Sequence, residues 1–102
     1  MNTQDAISVS KRFVDEVKKE FTVEKAYLFG SYAKNKNSEA SDIDVCVVSP
    51  MFGKNYLQEE MNLIGLAMKI DDRLSPVVFS SKDINDRWSQ LAHEITTFGV
   101  QL

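Results

Sequence analysis

The run Val45-Cys46-Val47-Val48, entered from Ser41-Asp42-Ile43-Asp44 and closed by Ser49-Pro50, constrains the fold more than any other stretch of the chain. Four consecutive apolar residues, three of them β-branched and all bounded by turn formers, make a short strand buried on both faces. A strand of that kind lies inside a sheet and needs further structure packed against each side. The two aspartates fall at its mouth, where polar residues give way to apolar ones.

The flanking sequence supplies the layers. Ile7, Phe13, Val14, Val17 and Phe21 recur at helical spacing and predict a first helix from about Thr3 to Glu20, with Lys11, Arg12, Asp15, Lys18 and Lys19 on its solvated side. Lys25–Phe29 reads as a first strand and Asp42–Val48 as the second, joined through a polar loop over Lys34–Ala40. After the turn residues Ser49 to Gly53, Leu57, Met61, Ile64, Met68 and Ile70 mark a second helix, with Met61 and Met68 expected to fill the core. Pro76-Val77-Val78-Phe79 is a third strand, Pro76 standing at its start, where a missing donor is tolerated.

Ser80-x-x-Asp83 has the spacing of a capping box and predicts a last helix carrying Ile84, Trp88, Leu91 and Ile95 on one stripe. Trp88 is expected as a core or partner-facing anchor, His93 as a surface residue off that stripe. Gly99 ends the helix, and Val100-Gln101-Leu102 can add a short terminal strand. The expected fold is therefore mixed α/β (α+β), a small mixed sheet of three to four strands flanked by helices.

Composition narrows the possible roles. The 102 residues, 43% of them hydrophobic, are read as one domain over 1–102 with a modest core. A net charge of −3 with scattered basic residues disfavours a large nucleic-acid footprint. Cys46 is the only cysteine, which rules out an internal disulfide and suits a buried thiol in a reducing compartment. No signal-like or membrane-spanning apolar run is present, so a cytoplasmic protein is expected.

Two short motifs carry chemistry. Gly30-Ser31 leaves the first strand as a turn whose backbone N–H groups and hydroxyl suit a polyphosphate. Asp42 and Asp44, one residue apart on a strand, project to the same side with Cα atoms roughly 6.5 Å apart. Either motif alone is an ordinary turn or strand end. Together they describe a phosphate holder beside paired acids, and such acids are most comfortable around a hard cation such as Mg²⁺.

With Gly30-Ser31-Tyr32-Ala33-Lys34-Asn35 followed by Ser41-Asp42-Ile43-Asp44, the chain resembles the minimal nucleotidyltransferases of the DNA polymerase beta-like superfamily. The resemblance covers most of the chain and implies the polymerase beta-like nucleotidyltransferase fold. It implies that Gly30 and Ser31 hold the β- and γ-phosphates of a nucleoside triphosphate, ATP in the first instance, and that Lys34 adds positive charge there. It further implies that Asp42 and Asp44 are catalytic and bind Mg²⁺, while an acceptor hydroxyl attacks the α-phosphate. Many small members of that family are antitoxins paired with a HEPN-type toxin, some transferring AMP to it, so a protein partner and a homo- or hetero-oligomer are implied. The alternative is a module that has lost catalysis and neutralises a toxin by contact alone.

Two departures stand out. Asn35 occupies a position where glycine is common, and asparagine tolerates the left-handed backbone. The family's third metal-binding carboxylate lies on the next strand, where Ser75-Pro76-Val77-Val78-Phe79 offers no acid. Asp71 and Asp72 just before it are the nearby substitutes, and they lie at the right end of the strand only if it runs parallel to the second.

Overall fold

The computed structural model describes all residues, 1–102. Its elements in chain order are α1 (Thr3–Lys18), β1 (Lys25–Phe29), β2 (Ile43–Ser49), α2 (Tyr56–Met68), β3 (Leu74–Ser80), a single 3-10 turn (Asp83–Asn85), α3 (Gln90–Phe98) and β4 (Val100–Gln101). The sheet order is β3-β2-β1-β4, with β2 in the interior as its apolar run requires. β1 pairs antiparallel with both β2 and β4, and β2 pairs parallel with β3.

Strand alternation assigns the two faces. Ala26, Leu28, Ile43, Val45, Val47, Leu74 and Val78 turn to the side covered by α1 and α2, where they join Phe13, Val17 and Leu63 in the larger core. Tyr27, Phe29, Cys46 and Val48 turn to the other side and pack under Ile84, Ala92 and Ile95. Asp44 belongs to this second face by alternation from Cys46. The α3 layer covers Cys46 and Val48 completely but leaves Asp44 only half-buried and Asp42 exposed at the end of the sheet.

Helix starts follow their caps. Asn2 accepts from the Asp5 amide at 2.8 Å, Asn55 from Gln58 at 3.2 Å and Ser89 from Ala92 at 3.1 Å, each satisfying an amide that lacks an intrahelical partner. Those caps explain where the sequence expectation of one long last helix fails. Ser80 Oγ does accept from the Asp83 amide at 2.9 Å, but the Asp83 carboxylate bonds the Tyr56 hydroxyl instead of returning to Ser80, so half of the capping box forms. Asp86 then accepts from the Trp88 amide at 2.9 Å in an Asx turn, and Ser89 opens a fresh helix. Trp88 lies in that break, 80% exposed against the Arg87 guanidinium, and is not a core residue.

The first helix stops at Lys18, two residues short of expectation, as Glu20 and Phe21 close on the Val17 carbonyl. Met61 and Met68 are also corrected: both stand on the outer side of α2, exposed, and fill no core. The helix buries Leu63 and Ala67 instead.

Candidate active site

The turn after β1 is a single helical turn with a defined stop. Lys34 donates to the Gly30 carbonyl at 3.2 Å, Lys36 to Ser31 at 2.9 Å and Asn35 to Tyr32 at 3.3 Å, while Asn35 has φ +58°. The six-to-one and five-to-two bonds closing on a left-handed residue form a Schellman motif, and Asn35 fills the place usually given to glycine. Thr3 at the head of α1 braces the turn, its hydroxyl reaching the Tyr32 carbonyl and Asn35 Oδ1, each at 3.2 Å. Tyr32 is buried in the larger core and pins the turn from below. The amides of Ser31, Tyr32 and Ala33 at the head of this turn donate to no protein group, which leaves three N–H donors for an anion.

Gly30 joins the turn to the acids. Its φ of +74° is a conformation that L side chains rarely adopt, and a Cβ placed there would stand 2.3 Å from Asp44 Oδ2. The backbone of the turn and the carboxylate of Asp44 therefore share one small space. Phe29 is paired with Asp44 across the strands, which brings the residue after Phe29 alongside that carboxylate. Only glycine allows both the turn and the close approach.

Neither Asp42 nor Asp44 takes part in an ion pair; the three in the molecule are Lys19–Glu16, Lys34–Glu94 and Arg73–Asp71. Burial, and secondarily the charge of Asp42, hold the Asp44 carboxyl above its usual range. Two neighbouring acids without a basic partner, Asp44 half-buried and Asp42 exposed, fit a hard divalent cation, which would relieve both effects. A third protein ligand is absent: no group of three or more His, Cys, Asp or Glu side chains is placed to hold a metal.

The parallel pairing of β2 with β3 brings Asp71 and Asp72 to the same end of the sheet as Asp42 and Asp44, yet neither joins them. Asp71 accepts from Arg73 Nε at 2.9 Å, from Nη2 at 2.7 Å and from the Arg73 amide at 2.9 Å. Those bonds hold its carboxyl below the ordinary range. Asp72 is exposed. The residue that does face Asp44 across the β2–β3 register is Ser75. Lys34 is turned toward α3, where it pairs with Glu94 and lies 5.5 Å from the Phe98 ring centroid. Glu94 and Phe98 were not expected here, and only the packing of α3 beside the turn reveals them.

Cys46 is fully buried one alternation step behind Asp44, its thiol pushed up to about 12 by burial, which fits packing and not nucleophilic chemistry. His93 is exposed, as expected. A surface hollow of about 500 Å³ between α1 and α2 is lined by Arg12, Asp15, Glu16 and Lys69 and includes neither Asp42 nor Asp44.

A family model described as nucleotidyltransferase domain matches residues 10–82, a span that contains the turn, both aspartates and Ser75. The chain belongs to that nucleotidyltransferase family. A crystal structure of a putative nucleotidyltransferase from Sulfolobus solfataricus superposes with a TM-score of 0.71 at 20% identity, covering 97% of this chain and 80% of that one. At that identity the likeness establishes the fold, a four-stranded mixed sheet flanked by helices. No curated protein matches the sequence. Within the nucleotidyltransferase fold, Gly30 and Asp44 are thus neighbours at one end of the central strand, while the position opposite Asp44 carries the hydroxyl of Ser75. No helix is long and apolar enough to cross a membrane.

Proposed function

We propose that this nucleotidyltransferase moves AMP from ATP to a hydroxyl of a partner protein, with Mg²⁺ held by Asp42 and Asp44. The observation that carries the reading is the shared space of Gly30 and Asp44. The backbone of Gly30, which leads into the donors for a polyphosphate, runs so close to the Asp44 carboxylate that a Cβ there would stand 2.3 Å from its Oδ2. Mg²⁺, when bound, would neutralise charge on the phosphate oxygens and favour departure of pyrophosphate.

The chain's own residues do the rest. Ser31, with the free amides of Ser31, Tyr32 and Ala33, holds the β- and γ-phosphates, and the Thr3 and Tyr32 anchors keep that turn from yielding. Lys34 leaves Glu94 to meet the added negative charge. The acceptor oxygen bonds to the α-phosphorus as the bond to the β-phosphate oxygen breaks. Ser75 is too weakly basic to take the hydroxyl proton at neutral pH, so that proton passes to solvent and chemistry is slow compared with a three-carboxylate site. The partner is a protein, in line with the resemblance to antitoxins of HEPN-type toxins, and no direct nucleic-acid contact is required.

Ser75 also favours a second reading, in which the site binds nucleotide without transferring it and the protein neutralises its partner by contact. Incubation with α-labelled ATP, Mg²⁺ and the candidate toxin separates the two. Label on the toxin that disappears with Asp42→Asn plus Asp44→Asn supports transfer. Absence of label, with inhibition intact in the same double variant, supports contact.

A further inference from the structure

The outer side of α2 is the largest unexplained feature of the molecule. Leu57, Met61, Ile64 and Met68 lie on one stripe and are 73%, 56%, 39% and 69% exposed. No residue of the stripe is charged. Their exposed surface amounts to roughly 500 Å², toward the upper end of the apolar patches found on monomers.

Gly65 adds an independent observation. It sits inside the helix, where glycine costs stability relative to alanine, and a Cβ there would meet nothing within 4 Å. Nothing in the chain itself asks for glycine at this position. Gly65 borders the stripe and helps line a groove of about 390 Å³ with Phe21, Met61 and Leu66, along with the polar Asn62, Glu20 and Lys69. A missing side chain beside an exposed apolar seam lets another helix approach closely.

We infer that this face joins two copies of the chain through an antiparallel α2–α2 contact about a two-fold axis. The spacing selects the occupant. Leu57, Met61, Ile64 and Met68 are separated by four, three and four residues, an a/d-type seam that reads the same in both directions. Under a two-fold axis between Met61 and Ile64, Leu57 of each copy meets Met68 of the other and Met61 meets Ile64, so the surface is its own complement. An uncharged stripe offers no electrostatic mark for a differently composed partner. Pairing would bury at most about 1,000 Å² from these residues, near where specific interfaces begin, and the flanking polar residues supply the remainder. Because α2 packs on the sheet face opposite Asp44, the pairing leaves Gly30 and Asp44 uncovered in each copy.

Sedimentation equilibrium of the full chain, from micromolar to sub-millimolar concentration, tests the inference without reference to transfer activity. The expected mass is twice 11.6 kDa, with a Tm that rises with concentration. Met61→Glu with Met68→Glu changes only exposed positions and should raise the dimer dissociation constant roughly 100-fold with unchanged circular dichroism. Gly65→Leu supplies a stronger helix former whose Cβ meets nothing within 4 Å, and should likewise favour the monomer while keeping the fold. A wild-type protein sedimenting at 11.6 kDa throughout would overturn the inference, as would a Gly65→Leu variant that dimerises as tightly as wild type.

Discussion

Replacing Gly30 with alanine tests the geometry of the site through stability alone. Two costs add in the wild-type background. Holding an L-residue at φ +74° costs roughly 1–2 kcal/mol. The new methyl, 2.3 Å from Asp44 Oδ2, must also push a half-buried carboxylate aside, an overpacking cost of about 1–3 kcal/mol. In an Asp44→Ala background the oxygen and Cγ are gone and the nearest remaining atom is the Cβ at 3.5 Å, an ordinary contact. There only the backbone cost remains. Thermal and urea unfolding of wild type, both single variants and the double variant should give a coupling of roughly 1–3 kcal/mol, with Gly30→Ala alone lowering Tm on the order of 10 °C. A coupling within about 0.5 kcal/mol of zero would mean that the turn and the carboxylate do not share a space, and the polyphosphate reading would lose its support.

Asp44→Asn should raise the Tm of the metal-free protein at neutral pH. The native state holds the wild-type carboxyl above its usual range, so ionisation costs stability above the folded pKa, and the cost vanishes as pH falls below the unfolded value. The advantage of the variant should therefore shrink toward acid pH, and adding Mg²⁺ should stabilise wild type but not the variant. Ser75→Asp places a third carboxylate opposite Asp44. It should lower Tm without metal, enlarge the Mg²⁺-dependent rise in Tm, and increase label transfer; a Mg²⁺ response equal to wild type counts against this placement. Asn35→Ala should cost about 1 kcal/mol in urea unfolding, because alanine lacks asparagine's tolerance of φ +58°, whereas Asn35→Gly should be near neutral.

The elements were legible where local chemistry decides them. Lys25–Phe29 appears with the boundaries its apolar run suggested, and the interior place of β2 follows from four apolar residues in succession. Asn35 could be read as a left-handed residue because the Schellman turn is built from neighbours in sequence. The last helix was misread because a periodic stripe from Ile84 to Ile95 ignores the turn-forming side chains of Asp86 and Ser89, which satisfy backbone groups better than a continuous helix would. Met61 and Met68 were misplaced for a related reason. Periodicity shows that a helix has an apolar side; it does not show that this chain covers that side.

At the site, what could be read and what could not divide along the same line. Asp42 immediately precedes the strand that carries Asp44, and Gly30 follows the strand that pairs with it, so the approach of Gly30 to Asp44 depends on one antiparallel register. The third position depends on the direction and register of β3, which lies beyond a helix and a turn. Parallel pairing brings Asp71 and Asp72 to the correct end, and that alone would suggest replacement ligands. Register then sets Ser75 opposite Asp44, and Arg73 takes Asp71 in a bidentate pair. Freeing Asp71 would leave that guanidinium without its partner, so recruiting it to a metal means breaking three hydrogen bonds already made. The electrostatic consequence falls on Asp44, whose charge is opposed by burial and by Asp42 and relieved by no basic side chain. Under the proposed function, a cation shared with substrate phosphates would remove that opposition only when substrate binds, and metal and nucleotide occupancy would be coupled more tightly than with a complete protein ligand set.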